Sequence, residues 1–372
     1  MLALKIKKDD LLRGVGQTSP IAEKRSAMPI LSNVLLEAEA DRLVITATDM
    51  EISFQGAYPA EVLTPGQLTV PAKKLNEVVR QLNAEEVSLA EEENFTLRLI
   101  SDTYYALMSG LSPADFPRMP AADDLAFINL DARELAGAID KTIFSVLQEE
   151  ARYNLSGIFL EKVEYEGRPS LRLVSTDGLR LNLAGFQAQD LSNLDLPKGV
   201  LVSKKGMNEL RRLAETTETV RLALSDGGLV ARGPNSVLVM RLLDGRFPDY
   251  NLVLPKDNNK RLLVGRKELL DALKSVAPMS SNDYKVVKFA LEPGRLVISA
   301  MTPGLGQAEQ SLKVEYEAAP LEIGFNPHFF IEALGALAGE QVRLSFLEAA
   351  NPALITAPED PGYSGVIMSM KI

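Results

Sequence analysis

One histidine, His328, and no cysteine are all that this 372-residue chain offers to most nucleophilic and metal chemistry. A Ser-His-Asp relay or a multi-histidine zinc site has no material here, and thiolate ligands, disulfides and cysteine nucleophiles are excluded together. Carboxylates are plentiful. Asp49 and Asp177 close the matching stretches "TATD" and "VSTD", where paired acids could do general acid-base work. A third related stretch reads "AMTPG" and has no acid there, so both aspartates are read as turn initiators. The glycines form neither a G-x-x-x-x-G-K-[ST] loop nor a strand-linked G-x-G-x-x-G. No cofactor, no metal and no catalytic residue are expected.

The basic residues are more informative because they recur on helices. Lys73, Lys74 and Arg80 form one set, Lys204, Lys205, Arg211 and Arg212 a second, Arg266, Lys267 and Lys274 a third. A net charge of -10 argues against a protein coated in positive charge, yet the field at a surface depends on where charges lie rather than on their sum. Three such helices on one face would suit a phosphate backbone. Tryptophan is absent and the tyrosines are scattered, so base stacking and sequence readout are not expected.

The elements that must carry these residues come in three copies. "RLVITATD" from Arg42, "LRLVSTDG" from Leu171 and "RLVISAMT" from Arg295 alternate as half-buried strands do. "LTVPAKKLNEVVRQL", "VLVSKKGMNELRRLA" and "LEIGFNPHFFIEALGAL" each run a short strand into a helix. Leu75, Val78, Val79 and Leu82 make a core-facing stripe on the first of these helices, with Met207, Leu210 and Ala214, then Phe330, Ala333, Leu334 and Leu337, in matching places. Lys73, Lys205 and His328 then occupy one solvent-facing position. Another helix opens each copy, and Asp131 with Glu134 has capping-box spacing. The fold class is α+β: three similar domains, each with two helices and antiparallel sheets, over residues 1–121, 127–250 and 253–372. "SPADFPRMP" and "DGRFPDYNLVLP" end the first two copies as Pro- and Asp-rich interdomain connectors.

With 46% hydrophobic and 24% charged residues the composition is globular. No secretory leader pattern and no apolar run of membrane-spanning length is evident. A cytoplasmic protein is expected.

The chain resembles the β sliding clamps of bacterial DNA polymerase III. "MPILSNVLLEA" from Met28, "VPAKKL" from Val70, "RYNLSGIFLE" from Arg152, "STDGLRL" from Ser175, "LLDGRFPDYNLVLP" from Leu242, "IGFNPHFF" from Ile323 and the terminal "MSMKI" carry the resemblance, in order and across the whole chain. It implies a homodimer closed head to tail into a ring around duplex DNA, bound without regard to sequence. The implied partners are the polymerase III catalytic subunit, a clamp loader and other replication and repair proteins that carry a hydrophobic peptide motif; nucleoid association follows. The implied peptide pocket comprises Leu155, Thr176, Gly178, Leu179, Arg180, Leu181, Pro248 and Val253 on one side, and Tyr284, Asn326, Phe329, Ala350, Met368, Ser369 and Met370 on the other. Implied DNA contacts are Arg25, Lys73, Arg152, Tyr153, Lys204 and Lys205. Leu179 stands where the family often has histidine, Leu252 where arginine occurs, Phe329 where tyrosine is usual, and "MSM" where "MPM" is common. On the residues alone two other classes stand beside it: a repeat scaffold without DNA retention, and a carbohydrate-active enzyme with paired carboxylates in one cleft.

Overall fold

The computed structural model describes every residue except 23–27, 121–123, 148–152, 195, 197, 227 and 281–284. One order of elements is written three times along the chain. It runs β1 (Ala3–Lys7), α1 (Lys8–Thr18), β2 (Asn33–Glu39), β3 (Arg42–Thr48), β4 (Ile52–Thr64), β5 (Gly66–Pro71), α2 (Ala72–Gln81), β6 (Glu86–Glu92), β7 (Thr96–Ser101) and β8 (Tyr104–Ser109). It returns as β9 (Ile128–Asp131), α3 (Ala132–Asp140), β10 (Gly157–Tyr165), β11 (Arg168–Thr176), β12 (Arg180–Gln187), β13 (Val200–Ser203), α4 (Lys204–Ala214), β14 (Thr219–Ser225), β15 (Gly228–Arg232) and β16 (Ser236–Arg241). The third round is β17 (Lys260–Gly265), α5 (Arg266–Val276), β18 (Val287–Glu292), β19 (Arg295–Thr302), β20 (Gly306–Lys313), β21 (Leu321–Phe325), α6 (Pro327–Ala336), β22 (Gln341–Phe346), β23 (Ala353–Ala357) and β24 (Asp360–Ile367).

Each copy folds its strands into two antiparallel half-sheets. In the first copy these are β5-β2-β3-β4 and β1-β6-β7-β8, in the second β13-β10-β11-β12 and β9-β14-β15-β16, in the third β21-β18-β19-β20 and β17-β22-β23-β24. Half-sheets then fuse between copies. β4 pairs with β16, setting Ser53 opposite Val239, and β12 pairs with β24, setting Leu181 opposite Val366. The fusion divides the second copy between two compact units. One holds Met1–Arg133, Gln189–Asp195 and Lys205–Leu242; the other holds Glu134–Ala188, Leu196–Lys204 and Leu243–Ile372.

The helix stripes bury as their period requires. Leu75, Val79 and Leu82, then Met207, Leu210 and Ala214, then Phe330, Ala333, Leu334 and Leu337 lie in cores, with Val78 half-buried. In the third copy Phe289, Phe325 and Phe330 interlock at centroid distances of 5.1 to 5.3 Å, in the edge-on and tilted arrangements that aromatic quadrupoles favour. The connectors are pinned rather than slack: Phe116 is buried with Ile30 and Leu31, and Phe247 stacks on Phe159 at 5.0 Å. No helix among the described residues is long and apolar enough to cross a membrane.

A polar tie crosses the β12–β24 pairing. The fully buried Tyr363 hydroxyl donates to Asn182 Oδ1 at 2.7 Å, and burial above all raises its pKa far beyond the ordinary phenol value. Tyr363→Phe leaves Asn182 Oδ1 buried without that donor, at an expected cost of about 1–3 kcal/mol, measured by urea unfolding.

Candidate functional site

The β11–β12 turn is built by its own side chains. Asp177 Oδ1 accepts the backbone N–H groups of Leu179 and Arg180, both at 3.0 Å. Thr176 Oγ1 accepts the Gly178 N–H at 3.1 Å and donates to the Arg180 carbonyl at 2.6 Å. Gly178 has φ +89°, a left-handed backbone that glycine adopts without strain. The equivalent first-copy turn repeats the device, Asp49 Oδ1 accepting from Glu51 at 3.0 Å and Ile52 at 2.7 Å. Both aspartates are turn residues, as the third copy's "AMTPG" suggested.

Arg180 then becomes the centre of the second unit's polar cluster. Its side chain is 7% exposed. Nε donates to Asp177 Oδ2 at 3.0 Å, Nη2 to the Phe144 carbonyl at 2.7 Å, and Nη1 pairs with Glu332 of α6. The guanidinium also lies 4.5 Å from the Phe329 ring centroid and 5.3 Å from that of Phe144. A planar fork with five donors can meet three acceptors and two ring faces at once; an ammonium cannot. Lys204, half-buried nearby, has its pKa lowered, first by burial; Glu332 opposes the shift and Arg180 adds to it.

The C-terminal segment forms the neighbouring wall. Met368 N–H donates to the Leu179 carbonyl at 3.0 Å and Met370 N–H to the Gly324 carbonyl at 2.8 Å. Met368, Ser369 and Met370 are half-buried. Asn326 caps α6, its Oδ1 accepting the His328 N–H at 3.0 Å. Phe329 packs partly against the third copy's core as well as under Arg180. Ala350 lies exposed between β22 and β23.

The expected site residues divide into buried and exposed. Leu155 and Leu181 are buried in a cluster with Val174, Leu183, Leu201, Phe247, Tyr250 and Val366, and Thr176 is buried too. Leu181 is carried by the strand that pairs with β24, opposite Val366. Leu179, Leu252 and Val253 are the apolar rim, 58%, 86% and 43% exposed, and Pro248 is exposed beside them in sequence. Tyr284, Arg25 and Arg152 lie outside the described residues, as does the side chain of Tyr153.

On the basic helices, Lys73 is exposed, 3.9 Å from Glu77. With Lys74, Asn76 and Arg80 it lines a groove of about 700 Å³ beside the end of α1. The third copy has a smaller groove in the corresponding place, about 400 Å³, lined by Lys274, Lys285 and His328. Lys205 departs from the solvent-facing position expected of it. Its ammonium pairs with Asp49, 4% exposed, and donates to the Ile21 carbonyl at 3.2 Å, because the first copy's turn packs against the start of α4. Sequence reasoning missed Glu332 and Phe144. A signal for Glu332 existed: Glu77, Glu209 and Glu332 sit four residues after Lys73, Lys205 and His328.

Three family models cover the chain. Residues 2–120 match the N-terminal domain of the DNA polymerase III beta subunit, 129–249 its central domain and 251–371 its C-terminal domain. A beta sliding clamp of Caulobacter vibrioides is 36% identical over the full length of both chains, and one of Pseudomonas putida 34% identical over 99% of each. Among solved structures, a Caulobacter crescentus beta sliding clamp superposes with a TM-score of 0.92 at 36% identity, covering 100% of this chain and 99% of that one. A Bartonella birtlesii sliding clamp bound to griselimycin gives 0.92 at 29% identity with both chains fully covered.

Arg180→Met removes the shared partner of two carboxylates and a buried carbonyl, with an expected loss of about 3 kcal/mol in urea unfolding.

Proposed function

The chain belongs to the DNA polymerase III beta subunit family, the beta sliding clamps, and is a non-enzymatic processivity factor of DNA replication; we propose that two copies close head to tail into a ring whose domains span residues 1–121, 127–250 and 253–372. The observation that carries this reading is strand pairing. The β4 half-sheet of copy one binds the β16 half-sheet of copy two, and the β12 half-sheet of copy two binds the β24 half-sheet of copy three. The same rule leaves β20 and β8 as unused edges. Tyr105 and Leu107 on β8 and Leu305 beside β20 are more than half exposed, and an apolar open edge is a template for another chain. A contact between different surfaces of one chain either propagates or closes, and closure after two chains gives six half-sheet seams.

Inside such a ring the duplex is held through phosphates, so the grip carries no sequence information and permits sliding. Lys73 and Lys204 are the proposed contacts from described residues, with Arg25, Arg152 and Tyr153 proposed from resemblance alone. Lys205 is proposed as a contact that exchanges Asp49 for a phosphate when DNA is bound. The cluster of Leu179, Arg180, Val253, Phe329, Met368 and Met370 is the proposed seat for an apolar peptide end of the polymerase catalytic subunit and of other replication and repair proteins. Methionines that repack suit a site with several partners. A separate clamp loader would open the ring, and a place in the cytoplasm at the nucleoid follows from the DNA it serves.

Loaded protein is expected to remain on nicked circular DNA at salt that abolishes simple electrostatic binding and to leave once the circle is cut, since topology is indifferent to counterion release. Equal loss from circle and linear DNA contradicts the ring. Leu179→Ser combined with Met370→Ala changes the rim and spares buried Leu181. Binding of a labelled peptide ending in Leu-Phe, read by anisotropy, should weaken by at least about 2 kcal/mol, with DNA retention intact.

A further inference from the structure

The connector after β16 is held by an anchor that has no counterpart among the described residues of the other two copies. Tyr250 is 5% exposed. Its hydroxyl donates to Glu161 of β10 and accepts from Arg172 Nη1 of β11 at 3.0 Å. Glu161 and Arg172 stand directly opposite each other in the β10–β11 ladder, 4.0 Å apart. Burial, and next the bond to Glu161, push the phenol's pKa up to about 12, so it stays protonated and donating at neutral pH.

The repeat supplies the control. Aligning Phe116 with Phe247 places Met119 where the second connector has Tyr250, and Met119 packs against Val230 and Val239. In the first copy the cross-strand position of Glu161 and Arg172 is taken by Glu37 and Val44, with Glu37 bonded to Gln67. In the third copy it is Ala290 and Val297. The phenol, carboxylate and guanidinium occur together only in the copy whose connector leads to the apolar rim.

The segment they fix is short. Phe247 stacks on Phe159 at one end. Tyr250 follows, and Asp249 Oδ1 accepts the Asn251 N–H at 3.1 Å while the Val253 N–H donates to the Tyr250 carbonyl at 3.0 Å. Leu252 and Val253 are thereby turned outward, though each is apolar and gains nothing from water. An exposed leucine on a loop costs a binding partner less entropy when the loop is already ordered.

We propose that Tyr250, clamped between Glu161 and Arg172, is a positioning residue for the peptide site, holding Asp249–Val253 so that Leu252 and Val253 form a fixed apolar rim for an incoming apolar peptide end. This rests on the pocket reading above. Tyr250→Phe keeps the buried ring and removes only the hydroxyl; Glu161→Leu breaks the same bond from the sheet side without touching the connector, and Glu161→Gln keeps an acceptor. With the Leu-Phe-ended peptide as probe, Tyr250→Phe and Glu161→Leu are expected to bind roughly 5- to 10-fold more weakly, the scale of one charge-assisted hydrogen bond. Glu161→Gln restores most of the affinity. Hydrogen exchange at the Asn251–Val253 amides should accelerate in the two weak binders. Unchanged affinity in folded Tyr250→Phe and Glu161→Leu, whatever happens to their Tm, overturns the proposal. The Leu179→Ser, Met370→Ala protein separates the levels. If it binds the peptide normally, the pocket reading fails and this proposal with it; if it loses the peptide while Tyr250→Phe does not, only this proposal fails.

Discussion

A β-sheet edge carries a row of N–H and C=O groups that must find partners, and the arrangement of this chain follows from how those edges are spent. Every copy makes two half-sheets and therefore two outer edges available to a neighbour. Within the chain, β4 takes β16 and β12 takes β24 in the same register, Ser53 to Val239 and Leu181 to Val366. The second copy, used on both sides, has no such edge left. The first and third each keep one, and a clamp is the way such a remainder closes without forming a filament.

Side chains reinforce the backbone pairing at the same points. The aspartate that shapes the hairpin turn also meets a cation with its second oxygen: Asp49 with Lys205, Asp177 with Arg180. Tyr363 and Asn182 add a buried hydrogen bond between β24 and β12. Buried ions and dipoles are costly when unpaired, so such contacts fix one register more than they add stability. The third turn, Thr302 to Gly306, has no aspartate, and its strand β20 pairs with β19 alone among the described residues. Its surroundings are accordingly more exposed, with Met301 and Leu305 both above 65%.

The repeat was legible because strand and helix periods are local: alternation in "RLVITATD" and the stripe of Leu75, Val79 and Leu82 need no tertiary information. The aspartate turns were legible for the same reason, and by comparison with "AMTPG". What escaped was set by packing across long stretches of chain. Lys205 and Asp49 are 156 residues apart, and no periodicity announces that one will cap the other. Phe116 and Phe247 were hidden by their company, since Pro, Asp and Gly mark a connector while the aromatic inside it requires a core. The burial of Leu181 also depends on such packing, for its cluster joins β11, β12, β24 and the connector residues Phe247 and Tyr250.

The central claim is that a third seam forms between chains by the rule that governs the two within. Placing β20 on β8 in that register sets Gln307 opposite Leu107, as Ser53 faces Val239 and Leu181 faces Val366. The natural absence of cysteine makes this directly measurable. Leu107→Cys with Gln307→Cys in one chain, oxidised in dilute solution, should give a covalent dimer with both pairs bridged and no free thiol, while each single variant stays uncrosslinked. A monomer with two free thiols, or a ladder of longer oligomers in place of the closed dimer, would contradict the account.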